Sequence, residues 1–372
     1  MNNRMVWGTC WYNEPVDVLI KFLKKSIDTL KNMNFNVTPI VFDARFVHND
    51  NDIKLIKKEI KNVVIILNLL NIFPNKNYGV ALITNMAHEL KIKYITVVDP
   101  DWDIKENYSY VKKILLSLID NDYDLLVPNI GMASGRSNIL IGRTVIKLFY
   151  PEYEDILLSV FPGAIAAKTS KLYQIVNDDD YHFDWGGEWD IVSLGIRNNM
   201  RISSSAVDVT NVRHRSNTSK MQDSFQIWKA ILANDDIIDR YKNVEKFSVS
   251  NKNNRFYNLI SDSDNIMKII DIISNNNPSE TEKQILYMIL YPLALIMGEI
   301  TTIPEVDTKN KVPYDKKELY DISEFAIYCM KIVLKNSNIN NINKNAKTVN
   351  GTYFSKWDSY SRKKAIKEYE VI

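Results

Sequence analysis

Over its first 215 residues the chain alternates short apolar runs with amphipathic stretches, and that alternation narrows the open folds more than any other feature. Strands are predicted at Met5 to Cys10, Val37 to Phe42, Val63 to Leu67, Tyr94 to Val98 and Leu125 to Val127. Each is short and rich in Val, Ile, Leu or aromatics, as strands buried on both faces are. Between them, Val16 to Met33 sets Val16, Leu19, Ile20, Phe22, Leu23, Ile27 and Leu30 mainly along one helical face. Gly79 to Leu90 and Tyr108 to Leu118 follow the same period. The order predicts an α/β domain with a mostly parallel sheet between two helical layers. Ligands of such sheets bind beyond the carboxyl ends of the strands.

After Met221 the pattern turns helical, with periodic stretches at Asp223 to Asn234, Ser263 to Ser274, Glu280 to Met297 and Lys317 to Lys335 and no convincing strand. A catalytic α/β domain over 1–220 and an all-α domain over 221–372 are the expected division. The Asn/Ser-rich stretches Ser274 to Pro278 and Asn336 to Asn345 read as loops, the second one mobile, since it offers little apolar surface against ordering entropy. With 45% hydrophobic and 25% charged residues, the composition is that of a globular protein with a full core. Lys+Arg 47 against Asp+Glu 45 leaves no basic field for nucleic acid, and no nucleic-acid partner is expected. Two cysteines, Cys10 and Cys329, exclude a disulfide framework and fit a reducing compartment. The amino terminus lacks the apolar core of a signal peptide. The longest apolar stretch, Ile285 to Met297, falls short of the ~20 residues a spanning helix needs and contains Pro292. A cytoplasmic enzyme or binding protein is expected.

The fourth strand ends in Val98-Asp99-Pro100-Asp101. Carboxylates two residues apart repel unless a cation sits between them, and hard oxygen ligands suit Mg²⁺ or Mn²⁺. The segment reads equally as a strand-ending turn. Farther on, Phe161 to Ala167, with Pro162, Gly163 and Ala164 at its start, is a small-residue stretch that would let backbone approach a ligand. Asp184-Trp185-Gly186-Gly187-Glu188-Trp189-Asp190 combines acids, aromatics and a Gly pair that would shape a sugar pocket. Arg213-His214-Arg215 sets an imidazole between two cations. His214 reads as a surface histidine on its own, and as a third metal ligand beside Asp99 and Asp101.

In this order the motifs resemble the GT-A (Rossmann-like) nucleotide-sugar glycosyltransferases, and within them the mannosylglycerate synthase family. The likeness runs discontinuously from about Val6 to Asn234, and Arg143-Thr144 followed by Tyr150-Pro151 adds to it. It implies a hexose transferred from a nucleotide sugar, GDP-mannose first, to a small hydroxyl-bearing acceptor such as a hydroxy acid, with retention of configuration. It further implies that Asp101 and His214 bind Mn²⁺ or Mg²⁺, with Asp99 at the metal or ribose, and Arg215 and Lys76 near the diphosphate. Glu14 matches the acid that contacts the base, with a helix N-terminal acid as the other reading. Asp43 is open between a base or ribose contact and a turn residue. Pro162, Gly163, Ala164 and Trp185 complete the donor site. Glu188 matches an acid of the reacting centre, and Asp190 is its rival. Arg143 and Thr144 are acceptor-site residues or helix surface.

The basic residue that holds the acceptor carboxylate in that family has no match here; the register puts Ile130 or a neighbour there, and Arg136 is the nearest substitute. Asp178-Asp179-Asp180 reads as a solvated loop and His88 as structural. Two other classes stay open: a membrane-proximal transferase with a lipid-linked or glycan acceptor, and a nucleotide-sugar-binding protein without turnover. Membrane association is not expected, because no basic face accompanies the Tyr287 to Met297 helix. A homodimer is left open.

Overall fold

In the computed structural model the strands among the described residues are β1 (Arg4–Trp11), β2 (Asn36–Asp43), β3 (Val64–Asn68), β4 (Tyr94–Val98), β5 (Leu125–Asn129), β6 (Ala164–Lys168), β7 (Ile202–Ala206) and β8 (Tyr369–Val371). They form one sheet in the order β7-β5-β6-β4-β1-β2-β3-β8. β1 pairs in parallel with β2 and β4, β2 with β3, and β5 with β7. β6 runs antiparallel between β4 and β5, and β8 antiparallel along β3. The structure describes residues 4–70, 76–100, 109–129, 135–158, 160–161, 163–207, 217–248, 254–304, 316–349 and 369–372. The class is α/β with a mostly parallel sheet, as the alternation predicts.

The helices of the first half are α1 (Val16–Lys31), α2 (Asp50–Glu59), α3 (Lys76–Glu89), α4 (Ser109–Asp120), α5 (Arg143–Phe149), α6 (Thr169–Val176) and α7 (Gly187–Arg197). Side chains of β1 alternate between two layers, as a period of two requires. Met5, Trp7 and Trp11 join Leu19, Phe22 and Leu23 of α1 and Val111, Ile114 and Leu115 of α4 in one core. Gly8 and Cys10 face the opposite layer, where α3 packs closely. A Cβ on Gly8 would come 2.7 Å from the Ile83 side chain, and one on Gly79 would come 2.5 Å from Cys10 Sγ and from the Phe42 ring. Missing side chains at these two glycines bring the start of α3 down onto the ends of β1 and β2, which places Lys76.

The chain divides into two units. Met1–Ala133, Pro162–Val212 and Ser355–Ile372 make up the sheet unit, and Ser134–Phe161 with Arg213–Phe354 the helical one. A single cut near residue 220 differs from this at two places. α5 groups with the later helices, and the last residues return to the sheet as β8, where no strand was expected. The helical unit contains α5, preceded by a π-helical segment Ser137–Gly142, and then α8 (Asn217–Ala233), α9 (Asp236–Lys246), α10 (Tyr257–Ile260), α11 (Ile266–Asn275), α12 (Lys283–Ile285), α13 (Tyr291–Met297), α14 (Lys316–Lys335) and α15 (Ile339–Thr348). A second π-helical segment, Leu286–Leu290, joins α12 to α13, and its Met288 carbonyl accepts the Trp228 indole N–H at 2.9 Å. Ser279 and Glu282 form a reciprocal cap before α12: the Ser279 N–H donates to Glu282 Oε2, and Ser279 Oγ accepts from the Glu282 N–H. No helix among the described residues is long and apolar enough to cross a membrane.

The stretch Asn336 to Asn345 is not the mobile loop expected. Asn338 caps α15 by accepting the N–H groups of Asn340 and Asn341, and Ile339, Ile342 and Ala346 are buried along one face. Three apolar residues at helical spacing are enough once a partner surface exists. Asn338→Ala is expected to lower stability by about 1 kcal/mol, read as a shift in urea midpoint at unchanged slope.

Candidate active site

Lys76 is the first residue of α3, and its side chain is buried. Its Nζ lies 3.2 Å from Asp99 Oδ1 and 3.3 Å from Glu188 Oε1. Two acids 23 and 112 positions farther along the chain thus meet the lysine beyond the carboxyl ends of β1 and β4. Burial by itself pulls the Lys76 ammonium down, but Asp99 and Glu188 more than offset it and hold the pKa well above the ordinary lysine value. Among these three groups one positive charge faces two negative ones. Beneath them Cys10 is fully buried; burial first, then Asp99, pushes its thiol far above the ordinary range, so it is no nucleophile here.

Two backbone devices aim the carboxylates. The Asp99 N–H donates to the Gly163 carbonyl at 2.8 Å, and Ala164 pairs with Val98 as β6 begins. The small-residue stretch continues as β6 from Ala164, and the Gly163 carbonyl just before it fixes the acid at the end of β4. Glu188 is aimed by the turn before α7. Asn77 Nδ2 donates to the Asp184 carbonyl at 2.6 Å, Tyr181 Oη donates to the Asn77 carbonyl at 3.1 Å, and the Gly186 N–H donates to Asp184 Oδ1 at 2.8 Å. Lys76 and Asn77 are adjacent, so the residue that grips this turn is chained to the residue that meets Glu188.

The two acids of α7 part company. Asp190 Oδ2 accepts the His182 N–H at 2.7 Å and lies 2.8 Å from His182 Nδ1. Two residues along a helix turn a side chain by about 200°, so Glu188 meets Lys76 and Asp190 braces the turn. Trp185 is half-buried in that turn. Glu14 is buried after β1; its Oε2 accepts the Tyr12 N–H at 3.1 Å, and its carbonyl accepts the Trp11 indole N–H at 2.8 Å.

Asp43 is not presented to a ligand as the strand-end reading allowed. It is fully buried, and its two oxygens take the Arg45 guanidinium at 2.8 and 2.9 Å, with His48 Nδ1 at 3.1 Å from Oδ2. Arg143 and Thr144 belong to the helical unit. There Arg143 lies 3.5 Å from Glu324 and over the Tyr320 ring, and the buried Thr144 hydroxyl donates to the Leu140 carbonyl one turn back. Arg136 is buried against Gln284 in the same unit. The expected metal ligands Asp101 and His214, with Arg215 and Pro162, lie outside the described residues. Among the described residues there is no group of three or more metal-ligating side chains.

Arg45, Asn77 and His182 were not read from the sequence. Arg45 had a visible signal, a cation two residues after a strand-ending acid. Asn77 and His182 act through backbone carbonyls and turns that no spacing announces.

No family model and no curated protein matches the chain. Among solved structures it is similar to glucosyl-3-phosphoglycerate synthase from Mycobacterium tuberculosis. With that enzyme's complex with Mn²⁺, UDP-glucose and phosphoglyceric acid the TM-score is 0.49 at 17% identity, over 62% of this chain and 79% of that one. With its complex with Mn²⁺, UDP and glucosyl-3-phosphoglycerate the TM-score is 0.49 at 16% identity, over the same shares. A further mycobacterial protein gives a TM-score of 0.48 at 18% identity, over 62% of this chain and 74% of that one.

Proposed function

We propose that this chain is a metal-dependent glycosyltransferase that moves a hexose from a nucleoside diphosphate sugar to a small hydroxyl-bearing acceptor, such as a hydroxy acid. The observation that carries this reading is the Lys76 ammonium held between Asp99 and Glu188 at the ligand-binding edge of the sheet. A sugar diphosphate brings anionic oxygens and neutral hydroxyls to one place. A buried ammonium serves the first, by offsetting charge on the leaving diphosphate, and an ionised carboxylate serves the second.

Asp99, with Asp101 and His214, would hold the divalent ion. Hard oxygens plus one imidazole suit Mn²⁺ or Mg²⁺, and the Asp99 side chain keeps 29% of its surface open. When bound, the ion neutralises charge on the diphosphate. Glu188, paired with Lys76, accepts hydrogen bonds from sugar or acceptor hydroxyls. Asp190 keeps Glu188 in place through His182 and touches neither substrate.

The finer reading is GDP-mannose as donor and retention of configuration, supported by the motif likeness to the mannosylglycerate synthase family. In that course the acceptor oxygen bonds to the anomeric carbon as the bond to the phosphate oxygen breaks, on the same face. The acceptor proton passes to the departing phosphate oxygen. Inversion would instead send that proton to Glu188.

The test is a thermal-shift and turnover panel of GDP-, UDP- and ADP-sugars with and without Mn²⁺, using glycerate and phosphoglycerate as acceptors. One donor class is expected to raise the melting temperature by several degrees only with metal, since ligand at 100 times Kd adds about 2.7 kcal/mol. Proton NMR of the product reads the anomeric configuration. No metal-dependent shift and no turnover with any member would end the proposal.

A further inference from the structure

Arg45 has no part in the transfer chemistry, yet it is pinned from three directions. Nε and Nη2 donate in parallel to the two oxygens of Asp43 at 2.8 and 2.9 Å, and Nη1 donates to Asp52 Oδ2 at 2.8 Å. Its plane covers the Trp11 indole, with Cζ 3.5 Å from the ring centroid. His48 Nδ1 lies 3.1 Å from Asp43 Oδ2. Trp11 is itself buried and tied by its N–H to the Glu14 carbonyl. Three in-plane donors are used and one face lies on indole, while 20% of the side chain stays open.

The position matters as much as the pinning. Trp11 and Asp43 are register partners at the ends of β1 and β2, and β4, which ends beside Asp99, flanks β1 on its other side. Across the sheet edge the order is Arg45, then Trp11 with Glu14, then Asp99 with Lys76. Two strand spacings, about 10 Å, separate the end of β2 from the end of β4. A nucleoside diphosphate laid along this edge with its phosphates at Lys76 carries its base toward Arg45.

We infer that the open face of Arg45 is the platform on which the donor's nucleobase stacks, with Glu14 at the edge of the base. The inference rests on the reading of the donor as a nucleoside diphosphate sugar. Guanidinium planes stack on bases, and every base has a π face, so the platform supplies affinity while Glu14 is left to discriminate. An unpinned arginine would lose rotamer freedom on stacking. Here two carboxylates and an indole have already fixed it, and they compensate its charge before the base covers it.

The experiment titrates the full chain with UDP, GDP and ribose 5-diphosphate (the probe without a base) in the presence of Mn²⁺. Wild type is expected to bind one nucleoside diphosphate at least tenfold more tightly than ribose 5-diphosphate. Arg45→Lys keeps the charge and removes the plane; it should cut that ratio about tenfold and leave ribose 5-diphosphate affinity unchanged. Asp52→Asn loosens one anchor at a partly exposed position, should cut the ratio severalfold, and carries the test if Arg45→Lys does not fold. An unchanged ratio overturns the inference. So does tighter nucleotide binding by Arg45→Lys, which would mean the guanidinium competes with the base for its place over Trp11. If wild type binds neither nucleotide, the proposed function falls with it; if wild type binds and the ratio stays put, only the role of Arg45 falls.

Discussion

Lys76→Met is expected to abolish measurable transfer and to destabilise the protein together. The lysine is the cation the structure places against both Asp99 and Glu188, and Glu188 is buried. Removing one partner of a buried ion pair costs about 3–5 kcal/mol. The partial exposure of Asp99 argues for the lower end. Loss of a preorganised positive group at a site of developing anionic charge typically costs about 10²–10³ in rate. The pH dependence separates this account from simple loss of packing. In wild type the Lys76 pKa is raised, so its contribution is full below the unfolded lysine value and is lost only as pH rises above it. Lys76 therefore adds no slope to stability between neutral and mildly acidic pH. In the variant two neighbouring carboxylates repel, one takes up a proton more readily than in the unfolded chain, and stability rises as pH falls toward about 5. Urea midpoints at pH 7 and pH 5 read the effect. Equal deficits at both pH values would show that only packing was lost.

Much of the sheet was legible because its central strands carry their own signal. β4 runs Tyr94–Val98, the predicted span, and β1 and β2 extend theirs by a residue or so at each end. The strands that escaped are the ones without β-branched runs. β6 reads AIAAK, β7 reads ISSSA, and β8 is a three-residue strand, so tertiary pairing and not local propensity makes them strands. α15 escaped for the opposite reason: its asparagines mask a cap and three buried apolar residues. In the site, Asp99, Glu188 and Lys76 were each nameable as a motif residue. Their meeting was not, because nothing local to Pro74-Asn75-Lys76 foretells a partner 112 positions on. Asp43 shows the converse: a strand-ending acid looks available in sequence, and only the fold shows that Arg45 and His48 have taken it.

Gly187→Ala is expected to destabilise the protein by about 2 kcal/mol or more and to lower kcat/KM by about 10²-fold, although helix propensity alone predicts a gain. In a helix interior Ala is favoured over Gly by about 1 kcal/mol, and Gly187 opens α7 without any left-handed backbone to explain it. The reason is close approach. A Cβ there would sit 2.2 Å from the His182 carbonyl oxygen and 2.8 Å from Asn77 Cβ. Neither neighbour can rotate away, since one is backbone and the other is the root of a side chain held to the Asp184 carbonyl. The relief must come from moving α7 off the start of α3, which draws Glu188 away from Lys76. Gly195→Ala in the same helix is the control. Its Cβ would meet Ile202 Cδ1 at 2.8 Å and Leu125 Cδ2 at 3.4 Å, the far ends of flexible side chains that can shift. The control should keep most of the stability and nearly all of the activity. Thermal melts and kcat/KM for both variants decide it: were Gly187→Ala the milder of the two, the turn from His182 to Gly187 would not be what aims Glu188.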